Sequence, residues 1–169
     1  SGNISSTPTA TEILEAFLGT LEATAVAETL RGARWGYAAG NAAHIFGIAL
    51  LVGSILPLDL HLLGLWRSVP RAPLVRVLVP VAATGLAIAV VAGSLLFIVR
   101  AREYAGIEFL QAKLALVTIG TLAALTLHRR YGFLLERAGR STLIRHALLS
   151  MSCWIGALVC GRLIAFAAP

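Results

Sequence analysis

Four long apolar runs are the feature that most constrains how this chain can fold. Each run is at least as long as the roughly 20 predominantly apolar residues that an α-helix needs to cross a bilayer. We place the spans at about residues 35–64, 77–99, 109–128 and 146–168. Because the runs are continuous and lack the alternation of a lipid-facing strand, the sequence predicts membrane helices rather than a β-barrel.

The composition is typical of an integral membrane protein. Hydrophobic residues make up 58% of the 169 residues and charged residues only 13%, which a soluble domain could not bury in one core. We therefore predict an all-α, integral membrane four-helix bundle that forms a single domain over residues 1–169. Residues 1–8 are expected to be disordered. Residues 9–30 carry apolar side chains on one face and glutamates on the other, which predicts an amphipathic helix on the membrane surface.

Positive charge is concentrated in the first and third connections between the spans. Glu136 is the only acid in the third connection, whereas the second connection and the N-terminal region mix both signs. The arginines of the two basic connections are Arg67, Arg71 and Arg76, and Arg129, Arg130, Arg137, Arg140 and Arg145. The positive-inside rule then predicts a multi-pass protein of the bacterial inner membrane with both termini outside. The membrane topology thus accounts for the distribution of the net charge of +6. We therefore predict the lipid bilayer as a partner and no nucleic-acid partner.

The chain has only four histidines, and all of them lie inside or at the ends of the predicted spans. They are His44, His61, His128 and His146. A titratable side chain in hydrocarbon is costly and usually faces a bundle interior, a cavity or a cofactor. Neutral imidazole is also a good ligand for iron and copper. His44 lies deep in the first span, which favours a ligand role, whereas each of the other three alone is better explained by hydrogen bonding at the membrane rim.

Counting along antiparallel helices divides the polar residues into two tiers separated by roughly 22 to 26 Å. The outer tier consists of His44, Lys113, Arg162 and Arg100, and the inner tier of His61, His128 and His146. His44 and His61 are too far apart on one helix to share a metal. In the outer tier the cations are candidates to neutralise haem propionates. Lys113 is also a candidate iron ligand, or it extends outward to water without any ligand role.

The first span has a face that nearly lacks side chains, from Gly36 and Gly40 to Ala43 and Gly47. Such a face favours close helix packing, and beside His44 it would also admit a flat macrocycle. Asp59 follows Pro57 near the inner end of this span. It is expected either to orient His61 as a hydrogen-bond acceptor or to cap the kinked helix.

Three segments carry a resemblance to known membrane proteins. They are HIFGIALLVGSILPLDLHLLG from His44 to Gly64, FLQAKLALV from Phe109 to Val117 and LTLHRRYG from Leu125 to Gly132. The chain resembles a family of uncharacterised small bacterial four-helix membrane proteins. More distantly it is similar to the membrane domain of copper-resistance protein D and to the haem-binding membrane type of protoporphyrinogen oxidase. The resemblance implies a haem b or copper context with His44 and Lys113 as matching positions. The uncharacterised family favours arginine where this chain has His61.

The leading functional hypothesis is a b-type haem protein that carries electrons within or across the membrane and exchanges them with quinone or a redox partner protein. One or two haems are allowed, and any enzymatic activity would be that of a membrane oxidoreductase. The second hypothesis is transport of copper or another cation. Soft ligands are scarce, however, because Met151 is the only methionine and the two cysteines do not form a C-x-x-C motif. The third is an accessory subunit of a larger complex or an oligomer, which the small-residue faces allow.

Overall fold

The computed structural model describes residues 9–32 and 35–167, which form seven α-helices and no strand. The helices are α1 (Ala10–Glu22), α2 (Ala25–Gly32), α3 (Gly36–Leu63), α4 (Arg71–Val99), α5 (Ala101–Ala105), α6 (Glu108–Tyr131) and α7 (Arg140–Ala167). Helices α3, α4, α6 and α7 are each long and apolar enough to cross a membrane. The predicted all-α membrane four-helix bundle is therefore confirmed, and the chain is a multi-pass membrane protein. The disorder predicted for residues 1–8 lies outside the described residues.

Three helices extend beyond the predicted spans at their arginine-rich ends, and α6 does so by three residues, to Tyr131. Helix α4 begins at Arg71 and α7 at Arg140, each six residues before the span predicted from hydropathy. Arginine side chains can reach water from a helix end, so the helix continues where the apolar run has already stopped.

The predicted N-terminal helix over residues 9–30 is divided into α1 and α2 by the local chemistry of two threonines. Thr9 caps α1 through a capping box with Glu12. Hydrogen bonds from the Thr9 backbone N–H and hydroxyl groups to the Glu12 carboxylate lower the pKa of Glu12. The Thr24 hydroxyl accepts a hydrogen bond from the Ala27 backbone N–H, as an N-cap residue does. A second helix therefore starts after the first has ended.

Helix α1 lies against α5 and α4 at one end of the bundle, which we call the outer end. The Arg102 backbone N–H donates to the Glu22 carboxylate at 2.9 Å, and its guanidinium lies 3.7 Å from the Glu15 carboxylate. Ile13, Leu14 and Phe17 on the other face of α1 are each more than half exposed. An anchored helix with an exposed apolar face fits the predicted position on the membrane surface.

The outer end also holds a contact between two tyrosines. The hydroxyl groups of Tyr37 and Tyr104 lie 3.5 Å apart. This hydrogen bond, together with partial burial, raises the pKa of Tyr104 to about 12. The contact joins the first turn of α3 to α5, so it fixes the connection between α4 and α6 against the start of the bundle.

The four long helices pack in the order α4, α3, α7, α6. Helix α3 packs against α4 and α7, and α6 packs against α7. No Cα atom of α4 comes within 8 Å of a Cα atom of α6, although both helices are fully described. The side of the bundle between α4 and α6 is therefore not closed by backbone packing. The buried side chains of the inner core are Leu58, Leu62, Val75, Leu127, Leu135, Leu143 and Ala147.

A pair of glycines sets the closest approach of α3 to α4. A Cβ atom built on Gly47 would lie 2.5 Å from the Ala89 backbone nitrogen, and one built on Gly85 would lie 2.5 Å from the Leu51 backbone nitrogen. Only glycine fits at either position. By contrast, a Cβ atom on Gly40 would meet only the flexible Leu96 side chain at 3.4 Å. The face of the first span that nearly lacks side chains therefore contacts the α4 backbone at its last small residue, Gly47.

Substituting Gly47 is expected to destabilise the bundle, whereas the same change at Gly53 on the same helix is not. The Gly47→Ala methyl group would collide with backbone atoms of α4, which costs about 1–3 kcal/mol for an overpacked site. A Cβ atom on Gly53 meets nothing within 4 Å. Thermal unfolding in detergent, followed by the loss of monodisperse protein, should show a lower midpoint for Gly47→Ala alone. Equal midpoints for the two variants would contradict the proposed contact.

Candidate functional site

His44 is held against the backbone of α4 by a single hydrogen bond. Its half-buried imidazole donates from Nδ1 to the Ala89 carbonyl oxygen at 2.7 Å. A Cβ atom on Gly93 would lie 2.9 Å from the His44 Cε1 atom, so the ring fits only because Gly93 has no side chain. With the proton on Nδ1, the lone pair of Nε2 is free to bind a metal ion. Metal-binding histidines are oriented in this way, by a carbonyl or carboxylate that accepts from the second ring nitrogen.

Lys113 is the second outer-tier residue that the structure brings to the bundle interior. Its half-buried side chain lies over Gly161 of α7, with Nζ at 3.4 Å from a Cβ atom built on that glycine. Its charge lies close enough to His44 and to Cys160 to interact with both. An imidazole from α3 and an amine from α6 therefore both lie toward the bundle interior, although α3 and α6 do not pack directly on one another.

The two outer-tier arginines have partners on the exposed surface. Arg100 forms an ion pair with Glu103 at 3.1 Å, and both side chains are about half exposed. The Arg162 guanidinium lies 4.9 Å from the centre of the Phe166 ring, one turn along the same helix. The role of these two arginines beside haem propionates stays a prediction.

The three inner-tier histidines have separate surroundings. His128 donates from Nδ1 to the Phe133 carbonyl oxygen at 3.0 Å, and its ring lies beside the Phe133 ring. His61 ends α3 beside a cavity, and His146 is partly buried in the second turn of α7. Across residues 9–32 and 35–167, no group of three or more histidine, cysteine, aspartate or glutamate side chains could hold a metal ion. A ligand role for any of these three histidines stays a prediction.

Asp59 is a functional candidate whose surroundings could not be predicted from the sequence. Its side chain is buried, and the carboxyl group interacts with the Ser150 hydroxyl of α7. The Oδ2 atom has no hydrogen-bond partner in the described part of the chain, nor does the indole nitrogen of Trp154, one turn beyond Ser150. The Nδ1 atom of His61 is also without a partner there, so Asp59 does not orient His61 through that nitrogen. The available sequence signal was that Asp59 is the only aspartate of the chain.

No family model, curated protein or solved structure matches this chain. The fold and the positions of the polar side chains therefore define the class of protein to which it belongs. It is a four-helix membrane protein with nitrogen donors in the bundle interior. The resemblance to haem-binding and copper-resistance membrane proteins stays a prediction from its sequence motifs.

The tautomer of His44 provides a direct test of this geometry. In protein labelled with ¹⁵N-histidine, we expect the nuclear magnetic resonance signals of His44 to show the proton on Nδ1. Gly93→Ala should change these signals because its methyl group displaces the ring, whereas Gly53→Ala should leave them unchanged. A proton on Nε2 in the unsubstituted protein would contradict the bond to Ala89.

Proposed function

We propose that this protein is a b-type haem protein that carries electrons within or across the membrane, with His44 as an axial ligand. The observation that carries this proposal is the hydrogen bond from His44 Nδ1 to the Ala89 carbonyl oxygen. It fixes the ring and leaves Nε2 available in the interior of a membrane bundle, where an imidazole without a function is costly.

The donor set and the packing both fit a haem. His44 supplies an imidazole nitrogen, and Lys113 supplies either a second nitrogen or a positive charge for a propionate. The side of the bundle between α4 and α6 is not closed by backbone packing, so a flat macrocycle would have a route to these residues. A bound haem would supply reversible one-electron chemistry. The part of the protein would be to orient the ligand through Ala89 and to exclude water with its apolar helices.

Electron transfer is favoured over catalysis on a substrate by the same donor set. If Lys113 bound the haem iron together with His44, no position would be left for a substrate at the metal, and the centre would only exchange electrons. We propose that quinone or a redox partner protein exchanges electrons with the centre at one rim of the bundle. An enzymatic activity, if the protein has one, would then be that of an oxidoreductase.

Cation transport is the second candidate function, and the carboxyl group of Asp59 favours it. A buried carboxyl group with an unpartnered oxygen inside a membrane helix is typical of proton and cation pathways. Copper is less well supported, because it is usually bound by several cysteine, methionine or histidine ligands together. A copper assay and a haem assay on the same purified sample would distinguish these two functions.

Removal of the His44 imidazole is expected to abolish haem binding. His44→Ala should lower the haem content of protein expressed with a haem precursor about tenfold or more, since even residues that support a metal ligand cost 10–100-fold when lost. Asn41→Ala is the matched control, because Asn41 is an exposed residue one turn away on α3. The haem content is measured by absorbance of the pyridine complex. Equal haem in folded His44→Ala protein would rule out His44 as the ligand.

We propose that the arginine-rich end of the bundle faces the cytoplasm, so that both termini lie outside the bacterial inner membrane. A cysteine placed at Glu136 tests this orientation in a background from which Cys153 and Cys160 have been removed. We expect an impermeant thiol reagent to modify Glu136→Cys only after the cells are opened. Gly106→Cys, at the exposed outer connection, should be modified in intact cells. The opposite pattern would reverse the proposed topology.

A further inference from the structure

A cavity of about 300 Å³ opens at the arginine-rich end of the bundle. Its wall includes His61 from the last turn of α3, Arg67 from the connection that follows, and Arg71 and Arg140 from the first turns of α4 and α7. The cavity is thus formed at the ends of three membrane helices, where lipid headgroups would lie in a bilayer.

The arginines of this cavity converge because of the backbone at Gly64. This residue ends α3 in a left-handed conformation, with φ of 113°. A Cβ atom on Gly64 would lie 3.3 Å from the Arg67 guanidinium and 3.5 Å from that of Arg140. Two positive groups therefore meet over one glycine, a position where a larger side chain would be both strained and in contact with them.

Backbone carbonyls hold two of these arginines without neutralising them. Arg67 donates from Nε to the Gly64 carbonyl oxygen at 3.2 Å, and Arg71 donates from Nη2 to the Leu135 carbonyl oxygen at 2.9 Å. Leu135 is itself fixed, because it is 1% exposed within the inner core. The remaining N–H groups of both guanidinium groups are left for another acceptor.

No carboxylate pairs with the arginines of this cavity within the described residues. The two ion pairs that the described residues form with one another, Arg100 with Glu103 and Arg102 with Glu15, both lie at the outer end of the bundle. His61 adds a buried Nδ1 atom that has no hydrogen-bond partner in the same part of the chain. Converging positive charge and oriented donors are the properties of a binding site for a phosphate group.

We propose that this cavity binds the phosphate of an anionic phospholipid headgroup. Two features favour a lipid over a free phosphate compound. The cavity lies at the ends of membrane helices, where basic pockets between spans recognise lipid headgroups. In addition, Leu65, Trp66 and Val69 beside it are each more than a third exposed, and an exposed tryptophan at a helix end is typical of the membrane interface.

Native mass spectrometry of the protein in a neutral detergent tests this site with phosphatidylglycerol and phosphatidylcholine as probes. The pocket variant combines Arg67→Gln with Arg140→Gln. The matched control combines Arg76→Gln with Arg129→Gln, which removes the same charge from two exposed positions outside the cavity. Inorganic phosphate is added in a third series as a competitor, and haem is not needed for the readout.

We expect the unsubstituted protein to retain phosphatidylglycerol in preference to phosphatidylcholine. The pocket variant should bind phosphatidylglycerol about 30-fold more weakly, because it lacks two arginines near the membrane surface. The affinity of the control for the same lipid should change by less than about threefold. If the pocket variant does not fold, Arg140→Gln alone replaces it, because that change keeps the bonds to Gly64 and Leu135. Equal weakening in the pocket variant and the control would overturn the site. Competition by inorganic phosphate without selectivity between the lipids would overturn the lipid as its ligand.

Discussion

The close contact of α3 with α4 is the interaction on which the rest of the structure depends. In a bilayer the hydrophobic effect does not drive helices together, so close packing through small residues must do so. The reciprocal contact of Gly47 and Gly85 fixes both the separation and the register of the two helices. With this register set, His44, one turn before Gly47, falls opposite Ala89 and Gly93. The position of the candidate ligand is therefore a consequence of the helix contact.

The remaining packing distributes polar groups along the bundle interior. Helix α7 lies between α3 and α6, and it places Ser150 beside Asp59 and Gly161 beneath Lys113. Leu135 is buried in the core of the inner end, where it adopts a left-handed conformation with φ of 58° while its carbonyl oxygen accepts from Arg71. The polar groups thus have different packing partners along the bundle: a glycine and a carbonyl near the outer end, and a hydroxyl and an arginine-lined cavity toward the inner end.

The spans could be predicted because the apolar length required by a bilayer is a local property of the sequence. The register between spans could not, because it depends on which small residue meets which. Gly40 and Gly47 share one face, yet of these two only Gly47 has a glycine opposite it on α4. Depth along the helices groups His44 with Lys113 and Arg162, but it does not predict that the Arg162 guanidinium lies over the Phe166 ring. The partner of Asp59 depends on α7 lying beside α3, which no local pattern encodes.

Helix α4 holds His44 so that Nε2 is the nitrogen available to a ligand. Gallium protoporphyrin, a diamagnetic analogue of haem, can be titrated into ¹⁵N-histidine-labelled protein to test this. We expect a saturable shift of the His44 Nε2 signal at a stoichiometric ratio, with the Nδ1 proton and its bond to Ala89 retained. Stoichiometric binding that shifts His61, His128 or His146 and leaves His44 unchanged would contradict it.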